Sequence, residues 1–321
     1  MGPVRRIQRP RGTVLRGRAR RVGIALGAGG ARGLAHIGVL RALGESEVPI
    51  HAVVGTSIGA LVGAAFAAGQ LERFERETRS LERVDLLRLV DPVWPRAGLL
   101  SGDRVSERLH DLFGDWRIED LALPFGAVAV DLVTGEEVLI RTGPVIEAVR
   151  SSLSIPGIFV PPRAGKRIFV DGAIRNPVPV SALGAFDVDV SIAVNLHGRP
   201  VRELASGPRK RAGLTRGALP ARIVELLEGP LVRRRRRSES ANGPSLVEIL
   251  AASMTAMEGE LARYRLAADP VDVVLTPRVH AIRSFEFHRA RQAIHAGREE
   301  VRSHLGEIRT ALRRRRRRRR A

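Results

Sequence analysis

The chain has 321 residues, 44% of them hydrophobic, which is enough for one large α/β domain with a sizeable core and excludes disorder throughout. It contains no cysteine, so disulfide frameworks and thiolate metal sites are excluded as well. The formal charge of +20 is almost wholly arginine, Lys166 and Lys210 being the only lysines, and it is concentrated in runs rather than spread over the chain.

Eight arginines fall within the first 21 residues. Residues 1–20 therefore read as a basic, disordered tail. No continuous apolar segment precedes Gly23, which argues against a signal peptide, and a cytoplasmic protein is expected. Order begins near Arg21, where "RVGIALGAGGARGLAHIGVLRAL" reads as a short apolar strand, a glycine-rich turn and an amphipathic helix.

The same plan repeats at once. "IHAVVGTS" is a strand running into a sharp turn, and "IGALVGAAFAAG" is a helix of small residues with Gly69 as its C-cap. The uncharged stretch from Ala52 to Gly69 is long enough to raise the question of a membrane span. Half of it is glycine and alanine, which contribute little to insertion into lipid, so a strand and a helix are expected instead. Two tandem strand-turn-helix units imply a parallel sheet covered by helices.

Residues 70–120 are charged and helical in pattern, with a break at "DPVWPRAGLLSGDR". "FGAVAVDLVTGEEVLIRTG" reads as a hairpin turning at Thr134 and Gly135. "VIEAVRSSLSIPG" is a helix that stops before Pro156. "RIFVDGA" is a strand entering a turn, and "DVDVSIAVNL" is a buried strand. From about 198 to 244 the composition shifts to arginine, proline and glycine, including the run Arg233 to Arg237, as expected of a mobile surface insertion. A helix ("SLVEILAASMTAMEGELARYRL"), a strand ("VDVVLTP") that completes the sheet, and a terminal helix follow. One domain is thus expected over residues 21–312, with a poly-arginine tail at 313–321.

Three motifs can carry chemistry. "GTSIG" matches G-x-S-x-G, in which a strand turns so tightly into a helix that the serine, Ser57, is left at the sheet's carboxyl edge. Gly55 and Gly59 let the two backbones pass without clash. "GAGGARG", Gly27 to Gly33, also joins a strand to a helix. As a dinucleotide fingerprint it fails in both registers, because Ala28 and Arg32 occupy required glycine positions. It reads better as an anion cradle whose backbone N–H groups, with the helix dipole and Arg32, hold a developing oxyanion.

A serine nucleophile needs a base. His36 and His51 lie within the first two units and His280 to His304 lie on or near the last helix, none in the setting of a hydrolase base, so these are read as structural. Asp171, after a short apolar strand and before the turn formed by Gly172 and Ala173, is the candidate. Taken singly, that aspartate is equally a turn former bonded to its own backbone.

Together these motifs resemble the patatin-like phospholipase family, particularly its small bacterial single-domain members. The likeness extends to "SSLSIPGIFVPP" and "FEFHRARQAIHAG" and so covers nearly the whole ordered chain. One departure is Ala28, where many members have another glycine. The resemblance implies a three-layer α/β fold with a mostly parallel central sheet between helices and the nucleophile elbow at the sheet's carboxyl edge. It implies a Ser57–Asp171 dyad without histidine, with Gly29, Gly30, Ala31 and Arg32 as the oxyanion site, and neither metal nor cofactor. The substrate implied is a phospholipid or lysophospholipid, with the arginine runs aiding peripheral contact with an anionic membrane. Lipid acyl transfer is an alternative. So is a catalytically weak basic protein binding membranes or nucleic acid, but with 4% aromatic residues that do not interleave with the basic runs, a nucleic-acid role is disfavoured.

Overall fold

The computed structural model of the chain describes residues 20–82, 85, 91, 98–198 and 246–313. The N-terminal tail up to residue 19, the bulk of the arginine-rich insertion with Arg233 to Arg237, and Arg314 to Arg320 lie outside the described residues.

The first strand, β1 (Val22–Leu26), is buried along its whole length, as its unbroken apolar run requires of a strand covered on both faces. A 3-10 turn over Gly30–Leu34 leads into α1 (Ala35–Glu45). The long uncharged stretch divides as its glycines dictate, into β2 (Ile50–Thr56), the single residue Ser57, and α2 (Ile58–Ala67). Gly69 follows α2 with φ of 69°, the left-handed conformation that ends a helix. Among the described residues no helix is long and apolar enough to cross a membrane.

Next come α3 (Leu71–Ser80), α4 (Asp103–Phe113) and the hairpin β3 (Phe125–Asp131) with β4 (Glu136–Ile140), which turns at Gly135 as expected. Then follow α5 (Val145–Ser152), β5 (Arg163–Ala164), β6 (Arg167–Asp171) and β7 (Val190–Val194). Beyond the insertion lie α6 (Leu246–Ala268), β8 (Val273–Leu275) and α7 (Ala290–Arg313). Where one strand is expected before Asp171 the structure has a hairpin, β5 with β6, turning at Gly165 with φ of 61°.

The strands form one sheet in the order β5-β6-β3-β2-β1-β7-β8, with β4 on the other edge of β3. Pairings among β3, β2, β1, β7 and β8 are parallel, and β4, β5 and β6 join antiparallel. The fold is the expected α/β arrangement, a mostly parallel sheet with helices packed against it. Gly38 of α1 and Gly297 of α7 bring those two helices into backbone contact: a Cβ on Gly38 would lie 1.9 Å from the carbonyl oxygen of Ile294, and one on Gly297 would lie 2.0 Å from that of Ala35.

The sheet register places the site. Strand β2 pairs with residues 125–128 of β3, and β6 pairs antiparallel with residues 129–131. Because β4 occupies the opposite edge over residues 127–131, β2 and β6 share one edge of β3. They run toward each other along it and meet end to end. Thr56 lies opposite Val128 and Asp171 opposite Ala129, so the residue after β2 and the last residue of β6 must face one another.

Candidate active site

Ser57 sits at the head of α2 with φ of 58°, one of only two non-glycine residues with positive φ among those described. Such a conformation costs about 1–3 kcal/mol and persists only when the surroundings enforce it. Here the enforcement is steric and polar. A Cβ on Gly55 would lie 2.3 Å from the carbonyl oxygen of Gly59, and one on Gly59 would lie 2.1 Å from that of Leu26, so only glycine fits on either side of the elbow. The Ser57 N–H donates to Ser152 Oγ (2.8 Å), and that hydroxyl donates onward to the Val128 carbonyl (2.6 Å).

Ser57 Oγ donates to Asp171 Oδ2 at 2.5 Å. The other carboxylate oxygen, Oδ1, accepts from the Ala173 N–H at 2.9 Å, which is what the D-G-A turn supplies. Gly172 has no room for a side chain, since a Cβ there would lie 2.4 Å from the Val128 carbonyl oxygen. The Asp171 N–H donates to the Ser154 carbonyl (2.9 Å). One short segment at the end of α5 thus holds both partners, Ser152 through its side chain and Ser154 through its backbone.

Asp171 is buried, 3% exposed. Burial pushes its carboxyl up to about 7, against the hydrogen bonds from Ser57 and the Ala173 amide, which pull it down. A carboxylate near this value accepts a proton far more readily than an ordinary aspartate and can return it at neutral pH.

The glycine-rich loop lies beside this pair at the ends of β1 and β7. Its amides are not all open. Gly27 N–H donates to the Val194 carbonyl, Ala28 N–H to that of Pro177, and Ala31 N–H to that of Ser284 at 2.8 Å. Ala31, expected as an oxyanion donor, is therefore engaged, because the loop before α7 packs onto Gly30 and its Ser284 carbonyl takes that amide. Among the described residues the N–H groups of Gly29 and Gly30 have no acceptor. Arg32 is 1% exposed, and its Nε donates back to the Gly29 carbonyl at 3.1 Å, so it braces the loop as well as charging it.

His36 is buried and its Nε2 lies 2.8 Å from the Gly27 carbonyl, and His51 Nδ1 accepts from the Val22 N–H at 3.0 Å; both serve the fold. Reading the motifs does not single out Ser152, Ser154, His197 or Glu258. The two serines are spaced by two ahead of Pro156, which is legible as a polar helix end but not as a brace. His197, just beyond β7, sits at the carboxyl rim where α/β proteins bind ligands. No group of acidic residues and histidines suited to a metal ion occurs among the described residues.

A family model described as patatin-like phospholipase matches residues 24–183, spanning the loop, the elbow and the D-G-A turn. An uncharacterised NTE family protein of Mycobacterium tuberculosis is 34% identical, over 87% of this chain and 89% of its own. The chain belongs to the patatin-like phospholipase family. Neuropathy target esterase of Drosophila melanogaster is 32% identical over 58% of this chain and 13% of its own length. The human GIVD cytosolic phospholipase A2 structure aligns with 92% of this chain and 60% of its own, at 12% identity and a TM-score of 0.45. At the level of the patatin-like family, the chain is a hydrolase of lipid esters.

Within that family setting the Ser152 brace has a measurable role. Removing its hydroxyl in Ser152→Ala takes away the acceptor of the Ser57 amide and the donor to the Val128 carbonyl, and the elbow loses this polar restraint. We expect kcat to fall by about 10- to 100-fold with KM little changed, as for loss of an alignment of roughly an ångström. Steady-state kinetics on a chromogenic acyl ester, with a thermal melt to confirm folding, reads this directly.

Proposed function

We propose that this protein is a serine acyl hydrolase of phospholipids or lysophospholipids that works through a Ser57–Asp171 dyad. The observation that carries the reading is the 2.5 Å hydrogen bond from Ser57 Oγ to Asp171 Oδ2 at a strained elbow. Ser57 Oγ attacks the ester carbonyl as its proton passes to Asp171. The negative charge that forms on the carbonyl oxygen is held by the amides of Gly29 and Gly30, within the field of Arg32; each such donor is worth about 3 to 4 kcal/mol in other enzymes. Collapse breaks the ester bond, and the leaving alcohol takes the proton from Asp171. Water then attacks the acyl-Ser57 ester and gives its proton to Asp171; the acyl–Oγ bond breaks, Ser57 Oγ takes that proton back from Asp171, and the free acid leaves.

The elevated Asp171 carboxyl supports this use of one aspartate as base and then acid, since a group near neutrality serves both directions. The testing experiment is product analysis with a panel of phospholipids, lysophospholipids and simple acyl esters. Free fatty acid in molar balance with the released alcohol is expected. Transfer of the acyl group to an added alcohol, with no free acid, would move the reaction to acyl transfer.

The arginine runs favour an anionic membrane as the place of work. Each basic residue near such a surface contributes about 1 kcal/mol, less screening and the entropy of the tail. Deleting Arg313 to Arg320 is expected to weaken binding to phosphatidylserine vesicles at low salt by at least about tenfold, measured by vesicle sedimentation. Unchanged binding would remove the tail from the account.

A further inference from the structure

Exposed large apolar side chains gather on three segments around the mouth of the site. Leu132 and Val133 stand in the β3–β4 turn, Ile174 follows the D-G-A turn, and Leu250, Met257 and Tyr264 line one side of α6. Apart from their neighbour Ile249, the one other such side chain among the described residues is Trp116. Leu250, Met257 and Tyr264 are spaced by seven, which keeps them on one stripe of the helix. Thr255 and Ala262, each two residues ahead of Met257 and Tyr264, are buried on the opposite side, about 200° round at 3.6 residues per turn. The inner side of α6 therefore packs on the protein while the outer side is open, Met257 being 70% exposed.

The sheet register sets the height of this rim. Asp171 lies opposite Ala129, and Leu132 is three residues farther along β3, about 10 Å beyond the reacting pair at about 3.3 Å per residue. The Leu132 N–H donates to the Ile168 carbonyl at 2.7 Å, so the β5–β6 hairpin stands out to the same height. Arg175 Nη1 donates to the Gly135 carbonyl at 2.9 Å, and Arg265 Nε donates to the Arg175 carbonyl at 3.1 Å. These bonds tie the β3–β4 turn, the segment after the D-G-A turn and α6 into one surface. Toward its start α6 reaches the loop that covers Gly30, with Thr255 Oγ1 3.5 Å from Ser284 Oγ.

Most acids of this surface are already paired: Asp131 with Arg167 at 3.6 Å, Glu137 with Arg265 at 3.6 Å, and Glu260 with Arg263 at 2.6 Å. Arg163, Lys166 and Arg175 have no ion pair among the described residues, against Glu136 as the unpaired acid on these turns. Arg263 lies over the Tyr264 ring, 4.7 Å from its centroid, and such a pairing of cation and amphipathic ring suits the headgroup level of a bilayer.

We propose that this rim docks on an anionic phospholipid surface, its apolar tips entering the acyl boundary and its cations meeting the headgroups, so that Ser57 faces the lipid. The proposal rests on the phospholipid reading given above. Apolar tips ringed by unpaired cations match such a surface in both respects. A second copy of the chain fits less well, since a self-complementary contact would set like charges against each other.

The chain has no cysteine, so Met257→Cys carries a single environment-sensitive fluorophore. Thr310→Cys is the control. It lies at the other end of the molecule, where Arg20, ahead of β1, donates to the Ala311 carbonyl at 3.3 Å. Adding vesicles of phosphatidylserine and phosphatidylcholine is expected to shift the emission to the blue at Met257→Cys, with quenching by doxyl-labelled lipid, and to leave Thr310→Cys unchanged. No shift at Met257→Cys, equal shifts at both positions, or a shift that needs only a higher protein concentration would overturn the proposal, the last by showing that a second copy covers the face. Unlabelled Leu250→Ser/Met257→Ser, with a thermal melt to confirm folding, is expected to bind these vesicles about tenfold or more weakly by sedimentation at physiological salt. Undiminished binding by the folded variant refutes the proposal. Docking is read without turnover, so failure of the dyad reading has a separate signature: Ser57→Ala would still hydrolyse esters whatever the vesicles show.

Discussion

Ser57→Ala is expected to lower kcat/KM for acyl esters by about 10⁴ or more, and Asp171→Asn by a similar factor. The size follows from the way the two groups work as a unit. In the proposed mechanism Ser57 supplies the atom that forms the new bond, and Asp171 Oδ2, 2.5 Å away, accepts its proton. Without the carboxylate the hydroxyl stays a neutral, weak nucleophile, and the leaving alcohol has no proton donor. For the same reason the double variant should be no slower than either single one, because neither group has a role without the other. What survives is the contribution of the Gly29 and Gly30 amides and of substrate binding. Steady-state rates for the three variants on one soluble ester and one lysophospholipid give the comparison, with the folded state checked by melting.

Asp171→Asn should also make the protein more stable, by an amount that grows with pH. The folded protein holds the Asp171 proton up to about pH 7, whereas the unfolded chain releases it near the ordinary value of 3.8. Between those two values the folded state binds more protons, so stability falls as pH rises. Stability linked to this group is fully present below about pH 3.8 and is lost as pH rises through about 7. The difference of about 3 pH units corresponds to about 4 kcal/mol above pH 7. Asparagine carries no charge at any pH and can keep both hydrogen bonds, accepting from the Ala173 N–H and facing Ser57 Oγ with its amide. The denaturation free energy of Asp171→Asn should therefore exceed that of wild type by about 1–2 kcal/mol at pH 5 and by about 4 kcal/mol at pH 8. Part of the gain comes from Glu258, whose own carboxyl is raised partly by the Asp171 charge. Equal stabilities at pH 8 would mean that Asp171 is not held in the environment described.

Local pattern carries much of this arrangement. The unbroken apolar run Val22–Leu26, the glycines flanking Ser57 and the Asp-Gly pair after β6 each state their geometry within a few residues. The eighteen-residue uncharged stretch resolves into strand, elbow and helix because glycine is required at Gly55 and Gly59. What is not legible depends on packing between distant segments. Ala31 is expected to offer a free amide, but a carbonyl more than 250 residues away accepts it, and no local pattern around Ser284 announces that contact. Ser152 and Ser154 brace the site only because α5 ends beside β3, where β2 and β6 meet. Glu258 belongs to a helix whose sequence gives no sign of which face turns toward Asp171. The β5–β6 hairpin cannot be read from the sequence because β5 is two residues long, below the length at which alternation shows.

The end-to-end meeting of β2 and β6 is the feature on which the proposed chemistry rests, since it brings Ser57 and Asp171 together, with the Ser152 hydroxyl bracing the elbow. The proposed dyad implies a covalent acyl-enzyme at Ser57. Rapid acid quench of the enzyme during turnover of a lysophospholipid, followed by peptide mass spectrometry, should find the acyl mass on the peptide containing Ser57 and none in Ser57→Ala. An acyl group on another residue, or undiminished hydrolysis by Ser57→Ala, would contradict the dyad.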